Sequence, residues 1–379
     1  MILDKELYNN LADNHLNSNN KTYNELDHNP LKLTITKVNS CLTELNRTGD
    51  ISNRLFSQLL SKDDSKLGKF RILIKLHKVK LGVRPIINSI NHPTSKLSHF
   101  IDLFLQPYVK ESNSYIKDSQ NLIQDCNDLR LDNTTNLFSC DFESLYTNIN
   151  SNQAIEQICI FFQTKLNNQF DFSIKGLYEI LKLILFNNIF SFNNKFFIQL
   201  NGLAMGTKCG PTIANIFIAI LETKWLYLHK PLVYKRFIDD IFVITYKSNI
   251  ESLEKNFGNL KLNLINDKEV QFLDLIISID EYSNKLKFKL YTKSTNTFQY
   301  LFYNSNHPNH IFSNIPKSLF IRIRRICSDY TDYLYYSRRL IVQLLKRGYK
   351  FENLLKISLE IGNIDRNKLI PYKDKGQLS

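Results

Sequence analysis

The stretch that most constrains this chain is residues 234–246, Y-K-R-F-I-D-D-I-F-V-I-T-Y. Two adjacent acids, Asp239 and Asp240, stand between β-branched and aromatic runs with no Gly or Pro among them. Such runs form strands, so the acids sit at the tip of a tight hairpin or just inside it. Carboxylates among strands bound for a core are costly unless something positive meets them, and a metal ion serves two at once. Successive residues of an extended chain point to opposite faces. One acid is therefore expected to face such an ion while the other braces the turn, and a third carboxylate must come from elsewhere.

Residues 137–149, L-F-S-C-D-F-E-S-L-Y-T-N-I, offer the candidate. Asp141 follows a short apolar run and so stands near the C-terminal end of a strand; Tyr146 comes five residues later, where the chain turns away. Upstream, residues 70–90 alternate as strand, turn and strand, carrying Arg71, Lys75, His77, Lys78, Lys80 and Arg84. Cations at the ends of one β-ribbon can reach a triphosphate together, although the same pattern also describes a solvated strand face. Between the two acidic segments, Q-L-N-G-L-A-M-G-T-K-C-G-P (199–211) runs into an apolar helix over 212–226, and three of the chain's eleven glycines fall here. Glycines ahead of a helix N-terminus let backbone approach an anion or a stacked base. Most such loops are only turns; its position between the acidic segments is what makes this one informative.

The remaining pattern is coarser. Residues 1–65 are polar with helical patches at 31–45 and 51–60, a prefix expected to pack on the later chain. Residues 97–109, 151–166, 173–186 and 250–257 carry helical periodicity, and 190–200 reads as a hairpin through Asn193-Asn194. Strands are expected at 260–265, 272–279 and 286–291. From residue 318 the chain is helical and basic, with nine Lys or Arg against two Asp between 311 and 350. One helix there places Leu319, Ile323 and Ile326 on one face with Arg322 and Arg325 off it, and a second ends at Gly348. Apolar backs with arginine fronts suit a phosphate backbone, or a solvated surface. A net charge of +13 points to an anionic partner, nucleic acid first, or to a merely basic protein. The six cysteines form no C-x-x-C pair, which indicates neither a zinc ribbon nor a disulfide framework and fits a reducing compartment. No signal peptide opens the chain, and the best apolar run, 213–221, is too short for a membrane span.

In order, a basic hairpin with R-P-I, an Asp followed by an aromatic, a Q-x-x-G-x-x-M-G-T loop entering a helix, and an F-x-D-D hairpin resemble the motifs of reverse transcriptases. Further blocks resemble the Penelope-like retroelement family, which is related to telomerase reverse transcriptases. They are K-L-H-K, R-P-I-I-N-S, P-T-S-K-L-S-H-F-I-D-L-F-L-Q-P, D-F-E-S-L-Y-T-N-I, the F-L-D-L box at Phe272, and H-P-N-H-I-F-S-N-I-P-K-S-L-F-I-R-I-R-R-I-C-S with a later K-R-G-Y. The resemblance covers about residues 65–350.

It implies an α+β right-hand polymerase fold: an antiparallel-sheet palm, fingers with a basic β-hairpin, and a helical thumb. The corresponding segments are a helical extension (1–65), fingers (66–136), palm with inserted fingers helices (137–285), and thumb with C-terminal basic helices (286–379). The implied activity is RNA-directed DNA synthesis from an RNA template, a DNA primer and dNTPs, with two Mg²⁺ ions, for which Mn²⁺ can substitute. Asp141, Asp239 and Asp240 match the catalytic, metal-holding acids, and Tyr146 the aromatic gate against a ribose 2′-OH. Lys75 and Arg84, assisted by Arg71, match the triphosphate residues, while Gln199 and the loop Gly202, Met205 and Gly206 match the lining of nucleotide and template. Lys317, Arg322, Arg324 and Arg325 are the expected nucleic-acid contacts of the thumb. The resemblance places such a protein in the nucleus, away from membranes. The chain shows no G-I-Y…Y-I-G pattern, so the family's GIY-YIG endonuclease is expected to be separate or missing. The alternative is a relic that keeps the fold and binds nucleic acid without turnover.

Overall fold

The computed structural model describes residues 3–17, 22–75, 82–132, 134–163, 165 and 170–372. Its helices are α1 (Lys5–Asn17), α2 (Leu31–Arg47), α3 (Asn53–Leu59), α4 (Ser95–Lys110), α5 (Ser119–Cys126), α6 (Leu145–Asn148), α7 (Ser151–Gln163), α8 (Ile174–Leu185), α9 (Gly210–His229), α10 (Lys247–Asn256), α11 (Asn309–Ile326), α12 (Tyr330–Leu345) and α13 (Phe351–Gly362). The strands are β1 (Tyr23–Leu26), β2 (Gly68–Lys75), β3 (Gly82–Asn88), β4 (Thr135–Phe142), β5 (Asn188–Phe192), β6 (Lys195–Gln199), β7 (Val233–Phe237), β8 (Asp240–Tyr246), β9 (Leu262–Asn266), β10 (Glu269–Phe272), β11 (Leu275–Asp280) and β12 (Lys285–Leu290). They fall into two compact units, each discontinuous in sequence. The first comprises Met1–Asn113, Phe142–Lys230 and Ser252–Leu262; the second comprises Ser114–Asp141, Pro231–Glu251 and Asn263–Ser379.

In the first unit a five-stranded sheet runs in the order β1-β6-β5-β2-β3. The basic ribbon is β2 with β3, antiparallel, pairing Arg71 with Ile86, Leu73 with Arg84 and Lys75 with Gly82. Alternation then assigns Arg71 and Arg84 to one face. The opposite face sends Phe70, Ile72 and Ile87 into the core, where Phe70 stacks on Phe190 at 5.4 Å. The Lys75 side chain and His77, Lys78 and Lys80 lie outside the described residues. Helix α1 buries Ala12 and Leu16 in the same core, and the Ile72 N–H donates to Tyr8 Oη at 2.9 Å. The prefix is not wholly helical: β1 adds to the sheet edge beside β6, pairing Tyr23 with Gln199. Four residues, Y-N-E-L, are too few for a period of two to stand out. The β5–β6 hairpin turns at Asn193 and Asn194, with φ of 47° and 63°. Two consecutive left-handed residues are what this tight turn requires, and Asn tolerates them. Helix α8 starts where Ser173 Oγ accepts from the Gly176 N–H at 3.1 Å.

The second unit holds a four-stranded sheet, β7-β8-β4-β9, and a three-stranded antiparallel sheet, β10-β11-β12. Their shared core includes Leu137, Phe242, Ile244, Phe272, Leu275 and Phe288, with Phe242 and Phe272 rings 5.8 Å apart. Ser139 Oγ donates to the Gln271 carbonyl at 2.6 Å, tying β4 to β10. Helices α11, α12 and α13 form a separate cluster around Phe320, Tyr333 and Leu344, each fully buried. Two basic helices were expected here, and a third, α13, follows the break at Gly348, burying Leu354 and Ile361. All six cysteines are free thiols, and no helix among the described residues is long and apolar enough to cross a membrane.

Candidate active site

Strands β7 and β8 form the expected hairpin. Phe237 pairs with Asp240, leaving Ile238 and Asp239 as a two-residue turn. Ile238 has φ 58°, a left-handed conformation that a β-branched side chain resists. Strand β4 lies antiparallel on the other side of β8, with Asp141 directly opposite Asp240. Residues paired in this way share a face, with Cα atoms about 4.5–5.5 Å apart. Asp141 and Asp240 therefore meet across the strand pair, while Asp239 stands at the turn. Asn263 of β9 donates its Nδ2 to Asp141 Oδ2 at 3.3 Å, fixing that carboxylate from the other side.

Like charges this close resist joint ionisation. Burial, then the Asp239 and Asp141 charges, raise the Asp240 pKa to about 6, against an opposing effect of Lys293. A divalent cation between the carboxylates would relieve that repulsion, so the donor set fits one. Among the described residues no three His, Cys, Asp or Glu side chains form a ready-made ligand cluster. Mg²⁺ is held by one or two carboxylates, and substrate phosphates and water complete its shell.

In the first unit, Tyr146 and the glycine loop are in contact. The Leu203 N–H donates to the Tyr146 carbonyl at 2.6 Å, and the Ile87 N–H donates to the Met205 carbonyl at 2.7 Å. The loop is thus pinned to Tyr146 at one point and to β3 at another. Gly202 has φ 79°, and a Cβ there would lie 2.8 Å from the Tyr146 carbonyl oxygen. Gly206 has φ 128°, and its Cβ would run into the Ile87 carbonyl. Gln199, expected to line the nucleotide, is instead 1% exposed, with Nε2 donating to the Asn201 carbonyl at 2.9 Å. It shapes the loop from beneath. Arg71 and Arg84 are exposed on the ribbon.

The overall architecture is similar to that of the telomerase from Candida albicans in complex with a TWJ fragment of telomeric RNA, at 10% identity and a TM-score of 0.58, over 93% of this chain and 59% of that one. The fold is polymerase-like. Further matches are the apo telomerase from Candida tropicalis truncated from its C-terminal domain (13% identity, TM-score 0.49, 75% of this chain and 60% of that one) and the Sicinivirus 3Dpol RNA-dependent RNA polymerase (11%, 0.48, 89% and 87%). The chain spans about three fifths of the length of these two telomerase chains. No curated protein matches it. A family model, the animal helix-turn-helix domain, matches residues 299–356.

Within this polymerase-like fold the matched segment takes in α11 and α12, joined by the three residues 327–329. The arginines expected to front α11 are largely committed inside the unit. Arg322 pairs with Asp274, Nε to Oδ2 at 3.1 Å. Arg324 donates to the Ile364 carbonyl at 3.2 Å and lies over the Tyr330 and Tyr333 rings. Arg325 donates to the Leu369 carbonyl at 2.9 Å and to Gln120 Oε1. For Arg324 and Arg325 the reason is the segment after α13, which covers that part of α11; Arg322 stays exposed beside Asp274. Lys317 remains exposed. The exposed Arg338 and Arg339 of α12 and Lys346 just after it were counted in the sequence but not singled out; the Tyr335 ring lies 5.7 Å from the Arg339 guanidinium.

Proposed function

We propose that this chain is the RNA-directed DNA polymerase of a Penelope-like retroelement, extending a DNA primer on an RNA template. The observation that carries the proposal is the register of Asp141 opposite Asp240, with Asp239 in the adjoining turn. Two Mg²⁺ ions held by Asp141, Asp239 and Asp240, with Mn²⁺ as a substitute, would activate the primer 3′-OH and neutralise the triphosphate. Every other task falls to the chain's own groups. Arg71 and Arg84, on one face of the β2–β3 ribbon, receive the triphosphate together with Lys75. Tyr146 sits beside the incoming sugar, and the backbone of Gly202, Met205 and Gly206 lines the base and template. Lys317 and the exposed cations of α12 take the phosphate backbone of the template–primer duplex. In this scheme the four segments 1–65, 66–136, 137–285 and 286–379 serve as extension, fingers, palm and thumb, and the protein works in the nucleus.

Primer extension on an RNA template with Mg²⁺ or Mn²⁺ tests the proposal. DNA synthesis by the wild type, absent from Asp141→Asn, is the expected result. Duplex binding without any dNTP incorporation would overturn it, leaving a binding protein on a polymerase-like fold.

A further inference from the structure

The turn that presents Asp239 and Asp240 holds an unfavourable conformation at Ile238, φ 58°. A β-branched residue there costs about 1–3 kcal/mol and persists only when the surroundings impose it. The surroundings include Arg236. Its side chain is 3% exposed in β7, an unusual place for a group that cannot shed its charge. Arg236 Nη1 reaches forward over the hairpin tip and donates to the Ile238 carbonyl at 3.1 Å. Its own backbone N–H donates to the Ser114 carbonyl at 2.7 Å, and a parallel bridge joins Tyr115 to it. Ser114 is itself fully buried. One buried residue therefore ties the base of the turn to the buried Ser114 segment and holds the carbonyl at its apex.

We propose that Arg236 is the positioning residue of the carboxylate site. It locks the Ile238–Asp239 turn so that Asp239 stays poised beside the facing pair Asp141 and Asp240. This rests on the polymerase reading for the identity of the metal, but not for the mechanics of the turn. Without the clamp, Ile238 relaxes toward negative φ, the tip rotates, and Asp239 leaves its place relative to Asp240. Lysine is a poor replacement, because its compact ammonium is more strongly hydrated than a guanidinium and is harder to bury at this position.

The test uses the full chain and four proteins: wild type, Arg236→Lys, Ile238→Asn, and the double variant. Direct Mn²⁺ binding is read by electron paramagnetic resonance, beside the thermal midpoint and the Mg²⁺ concentration for half-maximal primer extension. Losing a group that orients metal ligands typically costs about 10–100-fold in affinity, and Arg236→Lys should weaken Mn²⁺ binding by that order. Asn adopts the left-handed conformation readily, so Ile238→Asn should keep Mn²⁺ affinity and the double variant should recover most of the loss. Wild-type Mn²⁺ affinity in Arg236→Lys overturns the proposal. So does a lower thermal midpoint with no recovery in the double variant, which would make Arg236 a structural residue only. If the wild type extends no primer while Mn²⁺ binding follows the predicted order, the positioning role stands and the polymerase reading fails.

Discussion

Asp240 sets stability against chemistry. Its carboxyl titrates near 6, against an ordinary value of 3.8, because it is partly buried and faces two other carboxylates. Between these two values the folded chain holds a proton that the unfolded chain has lost. Asp240 therefore destabilises the fold progressively as pH rises from about 4 to about 6, and the full penalty is present at pH 7. Asp240→Asn should remove it. A shift of this size, discounted for partial exposure, corresponds to roughly 1–2 kcal/mol, so the variant should melt higher than wild type at pH 7 and equally at pH 4. The same proton competes with metal: Mn²⁺ affinity of the wild type should fall by up to about tenfold per pH unit below 6. Asp239→Asn should abolish primer extension while changing duplex affinity by less than about twofold, because one turn carboxylate adds little to backbone binding. Normal extension by that variant would remove Asp239 from the chemistry.

At the scale of elements, the glycine loop and the terminal helices make separable predictions. Gly206→Ala adds both a disfavoured φ and a collision with the Ile87 carbonyl, a combined cost of about 2–4 kcal/mol. A drop in thermal midpoint of several degrees measures it. An unchanged midpoint would mean that the loop moves freely against β3. On the helices, Arg338→Ala with Arg339→Ala should weaken duplex binding and lower the slope of log affinity against log salt by about 2, one for each phosphate no longer neutralised. Arg325→Ala should instead cost about 1–3 kcal/mol of stability, because Gln120 and the Leu369 carbonyl lose a charged donor. The reverse pattern would return α11 to the nucleic-acid surface. These differences explain which elements were legible. Residues 234–246 and 190–200 announced their hairpins through β-branched and aromatic runs and through Asn-Asn, whereas β1 is too short for any period. Helix α13 has its own apolar face, yet it lies beyond the glycine stop at Gly348, and helical periodicity does not say that it packs against α11. The fate of Arg324 and Arg325 was unreadable for the same reason: helical spacing tells which residues share a face, not what later chain covers it.

At the scale of the molecule, stability and metal binding are linked. A cation that binds the folded carboxylates and not the unfolded chain raises stability by about 1.4 kcal/mol for each tenfold excess over its dissociation constant. The thermal midpoint should therefore climb with Mg²⁺ in wild type and stay flat in Asp240→Asn. Chelation should stop primer extension while leaving the circular dichroism spectrum unchanged, since neither unit's core contains a metal-dependent cluster among its described residues.

By itself the sequence determined the local order: β-branched and aromatic runs made β4, β7 and β8, acids at their ends marked the site, and the glycines before α9 marked the loop. These are short-range facts, written in periods of two and 3.6 residues. Only the tertiary structure decided that Asp141 stands opposite Asp240 and that Gln199 is buried. The same holds for the strained Ile238 turn resting on Arg236, and for Arg324 and Arg325 of α11 being covered by later chain. Each depends on which distant segments pair in which register, and a one-residue slip of β4 against β8 would turn Asp141 to the other face of the sheet.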